Sequence, residues 1–199
     1  MQITEGSLTF TFPDGWRASK ADEWSFYRNQ FERYFDGVRL ACKKCNAEIR
    51  CHQCNTAKTV GVKAVDMLAI APGTVAWLVE VKDYRRHQRT KAIDLADEVA
   101  VKVRDSLAMF AAASKTASDP DERQDAAAVG NASTIRVVLH LEQVRKPSKL
   151  FPRAVDPANV RQRLRQLIKF VDPHPRVVET GAIGEVAWSV MAQANLVGQ

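Results

Sequence analysis

The residues of this chain best placed to do chemistry together are two acids and a lysine. Asp66 stands in "AVDMLAI", and Glu80 and Lys82 stand in "AWLVEVKDYRR". Each lies inside an apolar run that reads as a buried strand. Glu80 and Lys82 are two apart, and strand side chains alternate, so both emerge on one face. Taking such charges out of water costs on the order of several kcal/mol per ion unless they are paired or bound. "GVKAVDMLAI" (61–70) and the strand from Val75 to Lys82 are joined by "APGT", a turn short enough to pair them as an antiparallel hairpin. Asp66 and Glu80 then face each other across the ladder, an arrangement like charges avoid unless something positive lies between them. Lys82 could serve. A hard divalent cation serves better, because two carboxylates with waters or phosphate oxygens make a Mg²⁺ site.

A second group with chemical potential is "CKKCNAEIRCHQC", which contains all four cysteines as Cys42-x2-Cys45 and Cys51-x2-Cys54. Cysteines clustered in this way in a reducing compartment point to metal rather than to a disulfide framework. Four thiolates suit one tetrahedral Zn²⁺ in a structural site, and an Fe–S cluster is the alternative. The short spacer demands a tight loop. Buried free thiols fit poorly with the polar flanks. A zinc-dependent hydrolase at the cysteines fits worse, since four thiolates leave no open coordination position. Lys43, Lys44 and Arg50 in this segment could touch nucleic acid.

The elements that must carry these groups follow from periodicity. "SLTFTF" (Ser7–Phe12) alternates as a strand and "PDG" turns it. A helix is expected from about Asp22 to Phe35, with Asp22 as cap or first-turn acid, one aromatic face and Gly37 as its end. After the hairpin, Val99, Val103, Leu107 and Phe110 mark the inner stripe of a helix over about Ile93–Ala113, with Asp94, Asp97, Glu98, Lys102, Arg104 and Asp105 elsewhere around it. Asp119-Pro120 and Gly130 bracket a short surface helix, and "TIRVVLHLEQ" (134–143) is a strongly apolar central strand. Asp156-Pro157 opens a last helix, apolar on one side and bearing Arg161, Arg163, Arg165 and Lys169 on the other. "PRVVET" and "EVAWSVM" read as closing strands. The order supports one mixed sheet flanked by helices, in a single α/β domain spanning 1–199 with the cysteine segment (41–56) as an insertion.

The net charge is +6 in 199 residues. It is concentrated: "KDYRRHQRTK" (82–91) holds five Lys/Arg and one acid, and "RQRLRQLIK" (161–169) holds four Lys/Arg and none. Arg85, Arg86, Arg89 and Lys91 follow the Glu80 strand directly and could hold phosphates beside it, supplying affinity rather than sequence choice. For Arg161, Arg163 and Arg165 a solvated helix face is an equal reading. Tyr84 could stack a base or pack. His87 and His140 read as structural. No run of apolar residues is long enough to span a membrane, and "MQITEGSLTF" lacks the features of a secretory signal, so a cytoplasmic protein is expected.

Asp66, the Glu80-x-Lys82 strand and their placement on a hairpin resemble the PD-(D/E)XK nuclease superfamily. "AVDMLAI" is similar to that superfamily's Asp strand and "WLVEVKDYR" to its Glu-x-Lys strand, with Val65 standing where the motif's name has Pro. The flanking helices, later strand and later helix extend the likeness over nearly the whole chain, as a restriction-endonuclease-like fold. The chain also resembles a group of small bacterial proteins with "KAVD" and "EVKDYR" segments. The resemblance implies Mg²⁺ or Mn²⁺ held by Asp66, Glu80 and the Val81 carbonyl, Lys82 assisting the attacking water, and hydrolysis of phosphodiester bonds. It further implies a helical acid, for which Glu23 is preferred over Glu32. Expected partners are nucleic acid, DNA before RNA, and a second copy or another protein. The competing expectation is a non-cutting binding module on the same fold.

Overall fold

The computed structural model describes residues 1–31, 62–86, 89, 91, 93–144, 155–181 and 186–192. The cysteine segment, Glu32 and His87 lie outside these residues.

Five strands form a mixed sheet. β3 (Arg17–Lys20), β4 (Met67–Ala71), β5 (Val75–Asp83), β6 (Thr134–Glu142) and β7 (Arg176–Val178) are neighbours in that order. β4 is antiparallel to β3 and to β5, while β5, β6 and β7 run parallel. The β4–β5 hairpin turns through Gly73 at φ 87°, a conformation that glycine adopts without a Cβ clash. A second sheet is antiparallel: β1 (Gln2–Glu5), β2 (Leu8–Thr11) and β8 (Ser189–Ala192), with β2 in the centre.

The larger sheet is buried on both faces. One face, carrying Leu68, Leu78, Val137, Leu139 and Leu141, meets α1 (Leu95–Thr116), α2 (Pro120–Gly130) and α3 (Pro157–Ile168) through residues such as Val99, Val103, Phe110, Ala126 and Leu164. The opposite face, with Met67, Trp77, Val79 and Val138, meets Leu8 and Phe10 of the small sheet together with Phe12 and Trp188. The molecule is therefore mixed α/β with two sheets, where the sequence suggested one sheet with helices around it. Two of the three strands of the second sheet fall on segments read as strands, and what the sequence does not give is β1 and the long-range pairing of β2 with β8.

The three long helices begin at acid caps. The carboxylates of Asp94, Asp119 and Asp156 each accept a hydrogen bond from an N–H of the first turn. The aromatic segment expected as a helix from Asp22 behaves otherwise. A 3-10 turn covers Ala21–Glu23, Trp24 breaks it, and Tyr27–Phe31 is wound as a π-helix. Asp22 thus caps nothing. The expected strand over 61–70 also begins later, at Met67. The reason is local: the N–H groups of Lys63 and Val65 donate to the side chains of Asp105 and Ser106 on α1, not to a neighbouring strand.

Candidate active site

Val65, Asp66 and the start of β4 are clamped from two sides. Ser106 Oγ holds the Val65 N–H at 2.8 Å, and the Asp66 carbonyl accepts the Ala21 N–H at 3.0 Å. The β4–β5 register pairs Met67 with Val79, so its next step sets Asp66 opposite Glu80. The Asp66 carboxylate then reaches β5 directly, with Oδ2 accepting the Val81 N–H at 2.7 Å. Glu80 is fully buried, on the helix-facing side that Leu78 and Leu68 also occupy. Asp66, Glu80 and Lys82 therefore converge on one face, as their spacing predicts.

The cation between the two acids comes from an unexpected place. Lys102 of α1 puts its Nζ 3.0 Å from Asp66 Oδ1 and 2.7 Å from Glu80 Oε1. Lys82 also contacts Glu80 Oε1 and lies 3.8 Å from Glu98 Oε1. Glu98, one helical turn before Lys102, holds Arg89 at 2.9 Å and Lys91 at 2.6 Å. The result is an alternating chain of charges: Asp66, Lys102, Glu80, Lys82, Glu98, then Arg89 and Lys91. Helical spacing set Lys102 among the charged residues around α1. Its role follows from the placement of β5 under that helix, which periodicity alone does not give.

Burial, aided by the charge of Asp66, pushes the Glu80 carboxyl up to about 7, although both lysines pull it down. Burial is the largest single influence on Lys82 and Lys102 and opposes their charge, but the contributions of Glu80 and Asp66 together outweigh it, so both ammonium groups are raised. Glu80 Oε2 is buried with no hydrogen-bond partner among the described residues.

Asp22 belongs to the same neighbourhood. Its Oδ1 is buried and unpartnered among the described residues, and burial followed by the charge of Asp66 pushes its pKa up to about 6. Its segment is held by Glu122 of α2, whose carboxylate accepts the N–H groups of Ser25 at 2.6 Å and Phe26 at 3.0 Å. Glu23, the acid preferred from the sequence, is not brought to the pair. It is exposed and bound to Lys20 at 2.7 Å and Arg28 at 3.7 Å, because the 3-10 turn directs adjacent side chains to different sides. Among the described residues no group of three or more His, Cys, Asp or Glu side chains is arranged to hold a metal ion. The donor set at Asp66 and Glu80 nevertheless suits a hard cation. It offers hard oxygens only, one of them unpartnered, around a position where an ammonium already meets both acids.

The basic residues after β5 are mostly engaged within the chain. Arg85 is held by Asp83, with its Nη2 2.6 Å from Oδ2, and by Ser7 Oγ at 2.7 Å. Arg89 donates to Glu98 and to the Tyr84 hydroxyl, so Tyr84 packs and bonds inside the protein. Arg86 is exposed, with no partner among the described residues. His140 sits on the other face of the sheet, where its Nε2 is 2.9 Å from Glu142 Oε1 and its ring meets Phe10 edge-on.

Comparison with known proteins gives one partial likeness. No family model matches the chain. A cysteine–tRNA ligase of Neisseria meningitidis serogroup A / serotype 4A (strain DSM 15465 / Z2491) is 30% identical over 188 residues, 84% of this chain and 25% of the ligase. The chain thus spans about a quarter of the length of the curated relative it matches. No solved structure matches. No helix among the described residues is long and apolar enough to cross a membrane.

Proposed function

We propose that the chain is a metal-dependent nuclease of the PD-(D/E)XK type, on a restriction-endonuclease-like core. The observation that carries this reading is the convergence of Asp66, Glu80 and Lys82 on one buried face of a hairpin, with a cation already between the acids. The element order supports it too. An antiparallel hairpin bears the acids, a long helix covers them, and parallel strands complete the sheet.

Asp66, Glu80 and the Val81 carbonyl would hold Mg²⁺ or Mn²⁺. Such an ion, when bound, polarises a phosphodiester and lowers the pKa of its water. The protein's own contribution is electrostatic. Lys82 and Lys102 supply two low-dielectric positive charges beside the position of a scissile phosphate, where charge develops on the phosphoryl oxygens. Lys82, at the end of the buried part of β5, also orients the attacking water. The Val81 N–H and the α1 clamp keep Asp66 fixed, so no rearrangement is needed to assemble the acids.

A second reading is a binding module that does not cut. It is favoured by the pairing of both carboxylates with lysines and by the lack of a three-ligand set among the described residues. The tRNA in the relative's name adds RNA to the substrates to be tried, beside DNA. Incubation with plasmid DNA, single-stranded DNA and tRNA, in Mg²⁺ and in Mn²⁺, separates the readings. A nuclease cuts at least one substrate, and a binding module retains one without cutting it.

A further inference from the structure

A groove of about 640 Å³ lies away from the carboxylate pair, between α3 and the approach to β7. Arg161, Gln162 and Arg165 line it from the helix, and His174 and Arg176 line it from the strand side. No acid lines it among the described residues. Several described arginines outside the groove are matched to acids: Arg17 to Asp125, Arg85 to Asp83, Arg89 to Glu98, Arg104 to Asp105 and Arg136 to Asp172.

The contrast holds within α3 itself. Arg163 reaches Asp97 of α1 at 3.0 Å, whereas Arg161 and Arg165 are exposed and meet no acid or hydrogen-bond acceptor among the described residues. They are four positions apart, so they stand one above the other on one side of the helix. Arg176, which lies 5.2 Å over the Trp77 ring, forms the opposite wall. The exposed guanidinium groups of Arg161 and Arg165, with the Gln162 amide beside them on the helix wall, suit repeated phosphates, because the planar fork matches phosphate oxygens. A solvated helix face would be convex and come from one element; this is a concavity made by two.

The geometry points to a site for a nucleic-acid backbone in this groove, separate from the residues after β5. The inference deepens the nuclease reading and rests on it for the choice of nucleic acid as the polyanion. The helix that carries the groove is tied to α1, since Arg163 of α3 meets Asp97 and the next residue of α1, Glu98, lies 3.8 Å from Lys82. A nucleic acid bound at Asp66 and Glu80 thus has a second anchor one helix away, and the basic run after β5, largely neutralised by Asp83 and Glu98, contributes less than its sequence suggests.

The test is anisotropy of labelled single-stranded RNA and DNA in EDTA, across a series of KCl concentrations, with the full chain. Arg161→Ala/Arg165→Ala is expected to weaken binding and to reduce the slope of log affinity against log salt by about 2, one for each lost phosphate contact. Arg163→Ala, which removes a residue paired with Asp97, is expected to leave the slope unchanged. The altered side chains are exposed, and an unchanged thermal midpoint verifies the fold. An unchanged slope in the double variant overturns the groove, as does wild-type protein with no affinity for either nucleic acid. A reduced slope in a protein that cuts nothing upholds the groove and removes the nuclease.

Discussion

The Lys102 ammonium of α1 lies 2.7 Å from the Glu80 carboxylate of β5, and it also contacts Asp66. A lysine from a helix therefore stabilises a pair of acids that the start of β4 and the body of β5 hold together. Removing it leaves a buried carboxylate with only Lys82 beside it. Lys102→Met is expected to destabilise the fold by about 3 kcal/mol, the lower end for a broken buried pair because Lys82 remains. Millimolar Mg²⁺ should recover part of that loss by taking the ammonium's place. Urea unfolding with and without Mg²⁺ measures both effects; a variant insensitive to Mg²⁺ argues against cation binding at this position.

Asp22 makes a pH-dependent contribution of defined sign. Its folded pKa is raised to about 6 by burial and by Asp66, from an ordinary 3.8. The folded state therefore binds the proton more tightly than the unfolded chain between those values, and ionising Asp22 reduces stability as pH rises from about 4 to above 6. Asp22→Asn removes that burden. In EDTA its urea midpoint is expected to exceed that of the wild type at pH 8, with the difference closing near pH 4. Equal midpoints at pH 8 would place Asp22 in an ordinary aqueous environment.

Much of the frame was legible in the sequence because it rests on local signals. Asp119-Pro120 and Asp156-Pro157 are cap-and-first-turn pairs, and both start helices where they stand. The alternation and turn that paired the Asp66 and Glu80 strands gave the register that sets the acids opposite each other. What escaped depends on contacts between distant segments. Lys102 looks like any polar residue near the edge of an amphipathic helix until β5 is laid beneath it. Asp22 reads as a helix cap, and its burial follows from a 3-10 turn tied to the Asp66 carbonyl. The basic run after β5 looks free for phosphate because its partners, Asp83 and Glu98, are identified only by folding. The placement of the four cysteines lies outside the described residues.

Glu122 acts as a brace. Its carboxylate takes two backbone N–H groups of the segment that carries Asp22, from a helix 96 and 97 residues away in the chain. Glu122→Ala leaves two amides short of a partner and is expected to cost about 2 kcal/mol. Glu122→Gln, which keeps one acceptor oxygen, should lose less. Thermal unfolding of both variants checks the order; no loss at all in Glu122→Gln would mean that the side chain only fills space.

The Cys42, Cys45, Cys51 and Cys54 pattern predicts about one zinc per chain, four thiolates to a tetrahedral ion. Elemental analysis of protein purified without chelator should find it. Cys51→Ala should lower the content to well below one. Wild-type protein that carries iron instead of zinc would point to a cluster, and protein with no metal would remove the knuckle.

Phosphodiester hydrolysis is the central claim, and the rate of product formation under single-turnover conditions tests it most directly, using whichever nucleic acid the substrate panel selects. Wild type should cut in Mg²⁺ and not in EDTA. Asp66→Asn, Glu80→Gln and Lys82→Met, each verified as folded, should slow cutting by about 10²-fold or more. Cutting that persists at the wild-type rate in all three variants, or the lack of cutting on every substrate with either metal, would contradict the account.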